Sequence, residues 1–135
     1  MKKSILLLLS AISSFAMGQN TVYVENLTSC TLAISISFEE VSTCLSGSQT
    51  FMVTPGMHEI TLAAPVETNP FTVNGARAWE AGIIPSISQI GYVNPTGWTI
   101  CQMLGLVNSM TFTACGSTST ITWSGTANHS VLTIS

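Results

Sequence analysis

The sequence predicts an all-β protein built as an antiparallel two-sheet sandwich, and three observations point there. Large apolar residues fall on alternate positions in several short runs, most clearly Leu32, Ile34, Ile36 and Phe38, with Ala33, Ser35 and Ser37 between them. A period of two marks a strand with one face in a core and the other in water. Residues that favour turns recur roughly every eight to twelve positions, and no stretch sustains a helical period.

The N-terminus has a different character. Lys2 and Lys3 precede an apolar run over residues 5–17, and Ala16 and Gly18 supply the small residues that a signal peptidase prefers. Residues 1–18 are therefore expected to be a secretory signal of bacterial style, with the mature chain starting at Gln19 or, alternatively, after Ala16. The run is too short to anchor the chain in a bilayer. No cysteine stands directly after the expected cut to carry a lipid. Residues 19–135 are then expected to form a single β-sandwich domain, secreted or periplasmic, a size at which about two-thirds of the unfolded surface is buried.

With both lysines in the signal, Arg77 is the only remaining Lys or Arg side chain, set against Glu25, Glu39, Glu40, Glu59, Glu67 and Glu80. Nucleic acid is excluded as a partner, because neutralising phosphates needs clustered cations. An anionic membrane surface is excluded on the same ground, and no membrane insertion is expected once the signal is removed. Ser, Thr, Asn, Gly and Ala must supply most of the surface.

Four cysteines in an exported chain are expected to pair. Cys30, Cys44 and His58 are evenly spaced, and Cys101, Cys115 and His129 repeat the spacing. Equal spacing favours two local bridges, Cys30 with Cys44 and Cys101 with Cys115, each contributing on the order of 3 kcal/mol. A cross-link between the two units is the rival. The repeated frame also raises an internal duplication.

In chain order, residues 21–24 read as a first strand, ended by a polar turn at 26–29. The alternating run above is the second. Residues 50–53 form a short strand that stops at Pro55-Gly56, a tight-turn dipeptide, and 58–62 form another. Residues 66–91 read as an insertion or crossover. Within it, Asn74-Gly75 suits a two-residue hairpin turn between strands at 71–73 and 76–79, with Arg77 and Trp79 on one face. A weaker strand is expected at 87–93 and a turn at 94–97. Strands follow at 100–107 and 110–115, joined near Asn108 and Ser109, then a loop at 116–119 and strands at 120–124 and 130–134. About nine short strands fit an Ig-like or jelly-roll-like sandwich.

The residues that could carry chemistry are few. Two Cys-Cys-His sets resemble zinc donors in kind, but they lack the close Cys-x-x-Cys pairs of a tight zinc turn, so no metal and no cofactor is expected. His58 and His129 each open a strand after a Gly-containing turn, which suits a junction residue better than a general base. A Ser-His-Asp triad cannot form without aspartate, leaving a His/Glu hydrolase as the enzymatic alternative. Glu39 and Glu40, adjacent in sequence, point to opposite faces of a strand and read as solvated loop-edge charges.

Trp79, Trp98 and Trp123, with Tyr23 and Tyr92, offer a contact surface for a glycan or protein. Trp98, in the sequence Pro95-Thr96-Gly97-Trp98, is placed for a loop tip, and Trp79 with Arg77 forms a second candidate. Trp123, in step with Ile121, belongs to the core. Residues 118–122 present a hydroxyl row suited to ice, mineral or polysaccharide surfaces, or simply to threonine's preference for strands. Asn26-Leu27-Thr28 and Asn128-His129-Ser130 match the N-glycosylation pattern, accidentally in a bacterial chain. The expected function is non-catalytic surface binding, by adhesion or association with the envelope. A subunit that polymerises through uncharged strand edges is the other alternative.

Overall fold

The computed structural model describes residues 21–40, 46–63, 71–94, 106–126 and 129–135. These hold nine strands: β1 (Thr21–Asn26), β2 (Leu32–Glu40), β3 (Ser46–Val53), β4 (Gly56–Thr61), β5 (Phe71–Glu80), β6 (Gly91–Val93), β7 (Ser109–Ala114), β8 (Ser117–Thr126) and β9 (His129–Ile134). They form a five-stranded sheet, β4-β1-β9-β8-β7, and a four-stranded sheet, β3-β2-β5-β6. All pairs are antiparallel except β1 with β9, the first strand lying parallel to the last. The all-β, two-sheet expectation is borne out.

Alternation builds the core. From β2, Leu32, Ile34, Ile36 and Phe38 face inward; Val22 and Val24 of β1, Ile121 of β8, and Leu132 and Ile134 of β9 meet them from the other sheet. Each such side chain contributes about 1.5–3 kcal/mol on full burial. Trp123 packs partly buried against this cluster, as its step with Ile121 implied. Close approach of β6 to the five-stranded sheet requires glycine: a Cβ on Gly91 would lie 2.5 Å from the Phe112 ring and 2.8 Å from Ile121.

One end of the sandwich is tied by a disulfide and a buried asparagine. Cys30 precedes β2, and Cys115 lies in the β7–β8 turn; the two are bridged, with Cα atoms 5.7 Å apart. Asn26, only 1 % exposed, donates through Nδ2 to the carbonyls of Cys30 (2.9 Å) and Val53 (3.0 Å). Its Oδ1 accepts from the Thr28 N–H (3.0 Å) and hydroxyl (2.6 Å). All four hydrogen-bonding positions of the amide are used, so this Asn-x-Thr offers no free acceptor for a glycan.

Several expectations are corrected. The favoured Cys30–Cys44 and Cys101–Cys115 pairing gives way to Cys30–Cys115; Cys44 and Cys101 lie outside the described residues. No duplication is shown: β3 and β4 fall in different sheets, whereas β8 and β9 are neighbours. Asn74-Gly75 is not a turn. β5 runs through it, and Ser37 pairs with Gly75 while Phe38 pairs with Val73, leaving Asn74 as the extra residue of a bulge. The glycine serves close packing there, because a Cβ would lie 2.9 Å from the Val93 carbonyl oxygen.

The primed hairpin turn sits instead at Cys115-Gly116, where φ is 55° and 73°, so β8 begins at Ser117 rather than after a loop. Two positive φ values in a two-residue loop match the right-handed twist of the flanking strands. Residues Ile87–Gln89 form a 3-10 turn, leaving only Gly91–Val93 as strand. The Ser86 N–H donates to the Gln89 side chain (2.9 Å), closing that turn locally. Glu39 is 6 % exposed rather than solvated. Asn94 bridges Val107 through two backbone hydrogen bonds of 2.7 and 3.1 Å. The signal, residues 100–105 of the strand expected at 100–107, Trp98 and Asn128 lie outside the described residues, and the described end of that strand holds only the isolated bridge at Val107.

Candidate functional site

The same alternation that buries one face of β2 exposes the other. Ser35 and Ser37 point out of the four-stranded sheet, and register places Thr50, Ser35, Arg77 and Tyr92 in one row across β3, β2, β5 and β6. The adjacent row on one side is Met52, Ala33 and Trp79; on the other it is Ser48, Ser37 and Gly75. Arg77 and Trp79 therefore share an outer face, as their spacing implied, although on a single continuous strand and not on the return arm of a hairpin.

A shallow depression of about 530 Å³ opens on this face, lined among others by Ser35, Ser37, Ser48, Asn74, Arg77 and Tyr92. Its shape follows from side-chain size. Serines and Gly75 keep the middle low, Arg77 and Tyr92 stand taller beside it, and the bulge adds Asn74 to the lining. The Arg77 guanidinium carbon lies 6.0 Å from the centre of the Tyr92 ring, within cation–π range. Among the described residues Arg77 has no carboxylate partner, and no carboxylate or imidazole lines the depression. What this arrangement can do is hydrogen-bond through hydroxyls, present one guanidinium and offer an aromatic ring.

Ser35, Ser37 and Asn74 were not singled out from the sequence as contact residues, and Tyr92 was named among the aromatic residues without being placed beside Arg77. Their parity was legible, since Ser35 and Ser37 alternate with the core residues of β2. That β5 lies between β2 and β6 was not, and only this strand order brings Tyr92 beside Arg77.

The other candidates lie elsewhere. His58, in β4, holds its Nε2 2.8 Å from the Thr54 carbonyl and 3.4 Å from the Thr54 hydroxyl, an interaction within the β3–β4 corner. His129 opens β9, and its side chain is outside the described part. Among the described residues no three His, Cys, Asp or Glu side chains converge as metal donors, and no helix is long and apolar enough to cross a membrane. On the five-stranded sheet, Thr118, Thr120 and Thr122 of β8 pair with Thr113, Thr111 and Ser109 of β7. The hydroxyl row is thus two strands wide, with Ser109 and Thr122 in hydrogen-bond contact at 3.1 Å. Comparison with protein-family models, with curated proteins and with solved structures finds no match.

Proposed function

We propose that this chain is a small exported β-sandwich that binds a glycan or protein surface without catalysing a reaction. Binding takes place on the outer face of the four-stranded sheet. The observation that carries this reading is the convergence of Arg77, Tyr92 and a serine-lined depression on one face, with Trp79 one row away. Export is supported by the disulfide, which persists in oxidising compartments. Cys44 and Cys101, the two cysteines left once Cys30 and Cys115 are joined, form a second bridge in this proposal.

The test is a glycan and protein array probed with the purified mature chain and with Tyr92→Ala. Binding that Tyr92→Ala weakens supports the proposal. Blank arrays, or a hydrolytic activity lost on mutating His58 or His129, refute it.

A second reading has its own observation. β3 is an edge strand eight residues long with no charged residue and no proline, and such an edge accepts another strand unless it is blocked. Met52, 66 % exposed on that strand, is the place to block it. If the chain polymerises through β3, Met52→Lys reduces the assembled fraction in sedimentation; a monomer at every concentration ends this reading.

A further inference from the structure

We infer that the depression around Arg77 takes an acidic sugar, a glycan residue bearing one isolated carboxylate among neutral hydroxylated neighbours. The inference rests on the binding reading above and names its ligand class. Arg77 is the only Lys or Arg after residue 3. It is exposed on the sheet face, and among the described residues no carboxylate neutralises it. A guanidinium stacked toward a ring keeps its N–H edge for a ligand, and that edge matches a carboxylate with two parallel hydrogen bonds.

The surroundings of Arg77 select a sugar. Ser35, Ser37 and Ser48 carry hydroxyls that both donate and accept, the pattern needed to meet sugar hydroxyls of either role. Asn74, held at the rim by the bulge, adds an amide with both functions. The volume of about 530 Å³ falls among small-ligand sites, which run from about 300 to 1,000 Å³.

Charge sets the number of acid groups. Six glutamates against one arginine give the chain after residue 3 a negative field, which opposes a densely anionic polymer while a single guanidinium still captures one carboxylate. The ligand is therefore a sparsely acidic glycan, and a polysulfated chain is disfavoured.

The experiment uses the mature chain and three oligosaccharides of equal length: a neutral one, the same one with a single uronic acid, and a polysulfated one. The singly acidic oligosaccharide is expected to bind about tenfold or more tighter than the neutral one, the scale of a charge-assisted hydrogen bond. Arg77→Gln should abolish that difference, and Arg77→Lys should restore part of it. Thermal unfolding of both variants should match the wild type, since Arg77 is exposed. Equal binding of the neutral and singly acidic forms overturns the acidic-sugar inference and leaves the binding reading intact. Tightest binding of the polysulfated form, or an Arg77→Gln effect equal on all three, also overturns it. If none of the three binds while the protein array responds, only the sugar assignment falls; if the arrays are blank as well, the binding reading falls with it.

Discussion

The carboxylate of Glu80 accepts the backbone N–H of Cys115 at 2.9 Å, joining the end of β5 in one sheet to the β7–β8 turn in the other. Cys115 is the one non-glycine residue with positive φ among those described, a conformation uncommon outside glycine and asparagine. The hydrogen bond and the bridge to Cys30 hold it there. Removing the acceptor with Glu80→Ala should cost about 1–2 kcal/mol, toward the low end for a charged acceptor because Glu80 is only half-buried. Urea unfolding would show a lower midpoint at an unchanged slope; an unchanged midpoint would mean that the contact adds nothing to stability.

Peptide mapping without reduction should recover a linked pair containing Cys30 and Cys115. Replacing both with alanine should destabilise the protein by about 4–5 kcal/mol on the loop-entropy model, because the bridge spans 85 residues. A Cys30–Cys44 peptide would contradict the cross-sheet link.

Asn26 connects three backbone segments. Asn26→Ala leaves the Val53 and Cys30 carbonyls and the Thr28 N–H without their amide partner, an expected loss of about 2–4 kcal/mol given the cost of unsatisfied buried groups. Asn26→Asp should be at least as damaging, because a carboxylate would face two carbonyl oxygens that need donors. In a host that glycosylates Asn-x-Thr, mass spectrometry of the folded chain should find Asn26 unmodified; a glycan there would show that the buried arrangement does not form.

Gly91 should tolerate no side chain. With a Cβ 2.5 Å from the Phe112 ring, Gly91→Ala should lose about 1–3 kcal/mol by overpacking, read as a lower melting temperature. Phe112→Leu in the same chain should recover part of that loss if the clash is its source. Additive losses in the double variant would place the cause elsewhere.

The strand map was largely legible in the sequence. Residues 21–24, 50–53, 58–62 and 130–134 lie within or beside observed strands, because alternation is imposed directly by the pleat. The failures share one physical cause. Asn74-Gly75 tolerates both a primed turn and a bulge, and the neighbouring β2 decides between them by pairing with β5 on both sides of the extra residue. Cys115 carried no turn signal, since its side chain does not favour positive φ; its partner across the sheets and Glu80 hold it there. Arg77 and Trp79 were placed together because they share a strand, whereas Tyr92, named among the aromatic residues, could not be placed beside Arg77 because it lies on another strand.

Which residues of each strand face inward was written in the chain, as a property of neighbours two positions apart. Which cysteines meet, where the bulge falls and what stands beside Arg77 belong to the strand order, because each depends on residues distant in sequence being brought together when the two sheets close over their shared core.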